Sequence, residues 1–416
     1  MTALLPAGFD FTDPDVNLAG VPYDEFAELR RAEPIRWVEQ PANARAGMAE
    51  ASGTGYWAVT RHADVLAISK NSKVFSSREN GVIIRNPETA TRESIEMTQV
   101  VIINQDAPEH TQLRSIISRG FTPRAIGALE EGLEQVARRI VAEAVASGGG
   151  NFVDQIASQY PLEVIGDMLG IPAEDRQKIF DWTNQMTGAE DEDLAREDND
   201  PEAAAAEVLM YSMGLSADRK ANPRDDIVTK LVNADVDGRG LTDDEFGFFV
   251  IALAVAGNET TRNATTHGMN AFLDNPDQWD LWVKERPSTM VDEVIRWATP
   301  VTSFQRTALE DVEVGGVQIK AGQRVGLFYA SANYDEEVFE DAGTFDILRD
   351  PNPHLAFGGH GAHYCIGANL ARTEIRFIFD AIADLAPGIV RAEGEVKRLR
   401  SGWLNGIKEL PVTYGG

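Results

Sequence analysis

The chain has 416 residues, 43% of them hydrophobic and 25% charged, with a formal net charge of −28. That composition is ordinary for a globular protein with a sizeable core; a charge so negative argues against nucleic acid and anionic membrane as partners. The longest apolar stretch, residues 246–257, is too short to span a bilayer. The N-terminus shows no secretory pattern and there is one cysteine, so a reducing cytoplasm is the expected setting and an internal disulfide is excluded.

Strand signals are few: residues 57–59, 312–319 and 325–329, the second containing a Gly315-Gly316 pair that marks a tight hairpin. Strands do not alternate with helices, which argues against a parallel-sheet fold. Residues 71–104 read as a long irregular segment carrying Val82, Ile83, Ile84, Val100, Ile102 and Ile103, and long loops in compact domains are usually functional. A helix starts near Pro108 and places His110 and Arg114 four residues apart on one face, a pairing suited to a dianionic ligand. Residues 110–129 hold Arg114, Arg119 and Arg124 and no acid, a basic patch on an acidic molecule. Residues 190–200 are strongly acidic and read as a solvated, mobile loop.

One long helix dominates the pattern. Thr242 and Glu245 form a capping box, and Pro276 stops the apolar periodicity that follows. At ~1.5 Å per residue this helix is roughly 50 Å long. Its first half is apolar all round and is expected to be buried. Midway lies Ala256-Gly257-Asn258-Glu259-Thr260-Thr261. Glycine in a helix costs ~1 kcal/mol and leaves room for something to approach the backbone, while threonine can bond the carbonyl of i−4. Glu259 beside Thr260 reads either as a proton relay or as a salt-bridged acid at a packing kink. Further on, Glu293 and Arg296 lie one turn apart among Val291, Val294, Ile295 and Trp297. They form either a surface bridge or a buried pair, with Arg349 as a candidate third member.

The single cysteine sits in Phe357-Gly358-Gly359-His360-Gly361-Ala362-His363-Tyr364-Cys365-Ile366-Gly367, just before a helix beginning at Ala368. A thiolate there gains from the helix dipole and free N–H groups, and glycines allow close approach of backbone to a flat ligand. The alternatives are an axial ligand to a haem iron or a small buried hydrophobe.

Together, and in this order along nearly the whole chain, these motifs resemble the cytochrome P-450 monooxygenases of bacterial type. The resemblance implies a mainly α fold with small β-sheets. It implies one large domain over residues 1–416, with haem b between the long central helix and the cysteine loop and helix. It further implies Cys365 as the iron ligand, and Glu259 and Thr260 as the proton-delivery pair in oxygen activation. Glu293, Arg296 and Arg349 match a buried structural triad. His110, Arg114, Arg306 and His363 match partners of the haem propionates, and Ala256, Gly257, Phe357, Gly358 and Gly367 lie against the macrocycle. One departure stands out: the family's loop aromatic sits seven residues before the cysteine, where this chain has Gly358, with Phe357 one further back.

Longer strings narrow the resemblance: residues 79–83, 184–188 with Glu190-Asp191, 246–249, 297–308 and 401–408. They are similar to those of actinobacterial steroid C-26/C-27 monooxygenases, which oxidise the end of the cholesterol side chain. The implied pocket wall is Val82, Ile83, Val100, Ile102, Met186, Val255, Ala256, Val301, Phe304 and Trp403, nearly all apolar as a sterol requires. The implied partners are O2, a sterol or similar lipophile, and a ferredoxin with its NAD(P)H-dependent reductase. Arg114, Arg119, Arg124, Arg372 and Arg376 form the expected basic docking face. The competing readings are a hydroxylase of methyl-branched fatty acids or terpenoids and, in another class, a non-catalytic haem sensor or carrier.

Overall fold

The computed structural model describes residues 5, 9–187, 190–191, 193, 201–224, 226–234 and 238–415. Gly188 and most of the acidic loop expected over residues 190–200 therefore lie outside the described residues; only Glu190, Asp191 and Asp193 of that loop are described.

The central helix runs from Asp243 to Asp274 and opens on the expected box: Glu245 N donates to Thr242 Oγ1 at 3.1 Å and Thr242 N to Glu245 Oε2 at 3.0 Å. Around it pack the helices Gln159–Met168, Ala173–Thr187, Pro201–Ala221, Met290–Ala298 and Ala368–Leu385. The last, here the cysteine helix, comes close because Gly268 has no side chain. A Cβ there would sit 2.7 Å from Val294 and 2.8 Å from Phe379.

Burial along the central helix is mixed in its apolar half and complete in the polar stretch that follows. Phe246, Gly247, Phe249, Val250 and Ala254 are buried as expected, while Ile251, Leu253 and Val255 are half-buried and Ala256 is exposed. Every residue from Thr261 to Met269 is enclosed, walled in by the cysteine helix and the C-terminal strands.

Beside the helices stands a five-stranded sheet in the order Ile35–Glu39, Gly55–Val59, Arg324–Phe328, Ser303–Ala308, Phe75–Ser76. Its pairings are antiparallel except between Gly55–Val59 and Arg324–Phe328. The hairpin Val312–Val314 to Val317–Ile319 turns at Gly315 and Gly316, both with positive φ (54° and 83°), as the tight turn demands. Residues 71–104 are more ordered than the sequence indicates. They contain the helix Arg92–Met97, capped by Thr91, and two 3-10 turns. Asn80 pins the segment through Ser52 and Thr307, and Asn104 through the Val82 amide. Among the described residues no helix is long and apolar enough to cross a membrane.

Candidate active site

Cys365 is held by its own amide, which donates to Phe357 O at 2.9 Å and closes the loop. Gly358 turns that loop with φ 84°. The glycines on either side of His360 do a job other than the one expected. A Cβ on Gly361 would lie 1.7 Å from Ser69 O, and one on Gly359 would lie 2.6 Å from the Ser69 side chain. They let the loop press onto the helix His62–Lys70 rather than onto a flat ligand. Phe357 lies under the Arg372 guanidinium, 4.7 Å from the ring centroid, and Arg372 in turn binds Asp292 at 2.8 Å, which also meets His354 at 3.0 Å. This brace was missed in the sequence because Asp292 lies far along the chain from the other three members, His354, Phe357 and Arg372.

The cysteine itself is exposed. Crowding by protein pushes its thiol pKa up, against the pull of the Gly367 N–H and of Arg114 and Arg372. Metal coordination deprotonates a thiol outright, and the neighbouring donors then serve to steady the anion.

Four donors converge beside the loop. The His110 and His363 rings are 4.1 Å apart, Arg114 donates to Tyr364 O, and Arg306 donates to Gln305 O at 2.6 Å. Burial, together with the neighbouring guanidinium charges, lowers the pKa of His110 to about 4 and that of His363 further. Arg114 and Arg306 touch only backbone carbonyls among the described residues, and the buried His110 Nε2 has no partner. Buried cations and an imidazole without a carboxylate are costly unless something anionic meets them. A flat ligand carrying two carboxylates fits that donor set.

Midway along the central helix, Thr260 Oγ1 donates to Ala256 O at 2.6 Å. Glu259 is buried on another side of the helix and pairs through one oxygen with Arg262; its Oε1 has no partner. Burial raises its pKa, opposed by Arg262. Asn258 and Asn263 are buried with neither side-chain polar atom paired. Gly257 faces Ile165, whose Cδ1 would be 3.0 Å from an added Cβ, so its smallness serves helix packing. Arg262, three residues after Glu259, is a partner the spacing could have revealed.

Glu293, Arg296 and Arg349 do meet. Arg296 grips both oxygens of Glu293 at 2.8 Å, and Arg349 Nε reaches Oε2 at 3.1 Å. Asn352 and the Asp346 amide add bonds at 3.0 Å each. The apolar wall residues Ile83, Ile102, Met186, Val255, Val301, Phe304 and Trp403 are all half-buried, and Phe304 stacks on Trp403 with centroids 6.3 Å apart. Val82 is fully buried and Val100 is 42% exposed, so neither shares that half-open character.

The described residues thus present a lone cysteine in a glycine-rich loop ahead of a helix, a cluster of histidines and arginines beside it, and a buried, incompletely paired acid on the central helix. The family profile "Cytochrome P450" matches residues 288–382. A steroid C26-monooxygenase of Rhodococcus jostii (strain RHA1) is 58% identical over 99% of this chain and 85% of its own length. A methyl-branched lipid omega-hydroxylase of Mycobacterium bovis is 42% identical over 94% of this chain and 90% of its own. The solved structure of Mycobacterium marinum cytochrome P450 CYP268A2 in complex with pseudoionone superposes with a TM-score of 0.86, at 37% identity and 94% coverage of both chains. The chain belongs to the cytochrome P450 family. It is accordingly a monooxygenase with haem b as its cofactor, and the donor set around Cys365 fits that group.

Proposed function

We propose that this chain hydroxylates the terminal side-chain methyl of cholesterol or cholest-4-en-3-one and carries the oxidation on to the acid. The observation that carries the reading is the 58% identity, over nearly the full chain, to a relative named for steroid C26 oxidation. The half-buried apolar wall supports it, because a sterol gains about 25 cal/mol per Å² buried and offers few polar handles. Attack on a primary C–H beside a weaker tertiary one requires a channel that presents only the chain end.

In this reading Cys365 holds the haem iron, and His110, Arg114, Arg306 and His363 hold its two propionates. Ala256 and Phe357 would pack against the bound group. Bound haem supplies reductive activation of O2 and insertion of one oxygen atom into a C–H bond, the other leaving as water. The chain's own residues manage protons and geometry. Glu259, its acidity weakened by burial and restored in part by Arg262, would pass protons through its unpartnered Oε1. Thr260, its hydroxyl hydrogen donated to Ala256 O, would offer its oxygen as an acceptor on the other side of the helix. Phe304 and Trp403 exclude water and orient the sterol tail. Glu293, Arg296 and Arg349 keep the wall behind the cysteine rigid.

Two electrons per turnover come from a ferredoxin served by an NAD(P)H-dependent reductase, in the cytoplasm. Arg124 and Arg376 are exposed on neighbouring helices and belong to the docking face, as does exposed Arg119. Arg114 and Arg372 contribute less, since both are engaged within the protein. Charge reversal at Arg119 and Arg376 should weaken ferredoxin affinity and flatten its salt dependence; unchanged affinity would remove the docking assignment.

The substrate test is direct. Cholest-4-en-3-one should drive a low- to high-spin shift, and reconstituted turnover should yield the terminally hydroxylated sterol. A tight response to methyl-branched fatty acids with none to the sterol would favour the activity named for the 42% relative. Bound oxygen without any product would favour a sensor. Cys365→Ser should abolish the thiolate signature of the reduced carbon-monoxide complex.

A further inference from the structure

The two acids that follow the helix Ala173–Thr187 are tied to the C-terminal turn that carries Trp403. Asp191, only 1% exposed, accepts from Lys408 Nζ at 2.7 Å and from the Arg400 amide at 2.8 Å. Glu190 accepts from the Gly402 amide at 2.9 Å through Oε2 and from Arg400 Nη1 at 2.7 Å through its carbonyl. Lys408 reaches a second carboxylate, Asp193, at 2.6 Å, and Arg400 Nε reaches Asp15 at 2.6 Å. The turn is equally fixed on its other side. Thr302 N donates to Trp403 O at 2.9 Å, Asn405 N to Pro300 O at 2.8 Å, and Asn405 Nδ2 to Ala298 O at 2.6 Å. Between these anchors the Trp403 ring stacks on Phe304.

Exposed ion pairs contribute little to stability, but Asp191 is buried, and losing its partner leaves a buried charge unmet. The tie therefore holds far better than a surface bridge. It joins the segment that follows the helix Ala173–Thr187 to the turn carrying Trp403, which the steroid reading assigns to the pocket wall.

We propose that Glu190, Asp191 and Lys408 are positioning residues forming a latch that fixes Trp403 over the substrate chamber and so sets how long a sterol is retained. The proposal rests on the steroid reading above and adds a specificity device to the same site. None of the three touches the reacting atoms; they act through the turn.

The test uses the holoenzyme with Lys408→Met, Asp191→Asn and the conservative Lys408→Arg. Release of cholest-4-en-3-one, followed by stopped-flow through the spin state, should be about tenfold faster in the first two variants, as retention is read mainly in the off-rate. KM should rise with it while kcat holds, and Lys408→Arg should return release close to the parent rate. Lys408→Met leaves Asp191 buried without its cation and should melt lower, so the double variant Asp191→Asn/Lys408→Met, which buries no unmet charge, separates a latch from general loosening: it should melt near the parent and still release sterol fast. Hydrogen exchange at the Arg400 and Gly402 amides gives a reading independent of substrate and should accelerate in Lys408→Met. If the parent enzyme shows no sterol spin shift, the steroid reading fails and exchange alone judges the latch. Unchanged exchange, or unchanged release of a sterol that does bind, overturns it.

Discussion

Two buried Glu–Arg pairs, each spaced three residues apart on a helix, end in opposite states. Glu293 with Arg296 is saturated: the carboxylate takes five hydrogen bonds, from Arg296 twice, Arg349, Asn352 and the Asp346 amide. The Arg296 guanidinium spends its other donors on the carbonyls of Asn333, Ala342 and Thr344. Glu259 with Arg262 is half-made. Glu259 Oε1 and Arg262 Nε are unpaired by protein, as are all four side-chain polar atoms of the flanking Asn258 and Asn263. A saturated buried network rigidifies, whereas one short of partners admits ordered water and proton movement. The same local motif is thus structural in one wall and chemically available in the other. A third buried acid extends the series: Glu374, on the cysteine helix, bonds Thr261 and has no cation beside it, and burial raises its pKa to about 8.

The largest effect is expected where saturation is greatest. Glu293→Gln leaves Arg296 and Arg349 buried without their counter-charge and should cost ~3–5 kcal/mol in urea unfolding. A loss below about 1 kcal/mol would break the contrast between the pairs.

Glu374 comes next and acts through pH. Its folded pKa of about 8 stands above the ordinary value of 4.5, so between those values the folded state keeps a proton that the unfolded chain has released. Stability from this group is full below about pH 4.5, falls as pH rises, and is gone above about pH 8. Glu374→Gln should flatten that slope, by on the order of 4 kcal/mol over the whole window. An unchanged pH slope in unfolding experiments at pH 5 and pH 8.5 would show the acid to be better solvated than its packing implies.

Glu259→Gln leaves one buried cation, Arg262, without its counter-charge and should cost about 1–3 kcal/mol, less than Glu293→Gln, yet lower turnover about 100-fold, the scale of a lost proton donor. Product formed per electron pair should fall with it. Equal losses in stability and turnover would make this pair a second structural one. The smallest effect is expected for Asn263→Leu, which replaces unpaired polar atoms by an apolar side chain and should change stability by less than ~1 kcal/mol. A steep loss would mean that Asn263 carries bonds through fixed water.

The features legible in the sequence were those written in local spacing. The capping box at Thr242 and Glu245, the Gly315-Gly316 turn and the cysteine loop ahead of its helix all appear where expected. The Glu293, Arg296 and Arg349 set was also legible, because an arginine and an acid one turn apart among apolar neighbours need a third partner. What escaped were contacts between distant segments. Ser69 explains Gly359 and Gly361, and Ile165 explains Gly257. The edge strand Ile35–Glu39, half-buried and charged, gave no clear alternation.

The sequence by itself determined the family, the cysteine loop ahead of its helix and the long central helix, since each rests on residue types at short, characteristic intervals. Only the tertiary structure decided which Glu–Arg pair is locked and which is open. It also decided that the polar stretch Thr261 to Met269 is enclosed without a break. Hydrogen-bond saturation and burial are set by what other parts of the chain bring to a residue, and no local pattern records their arrival.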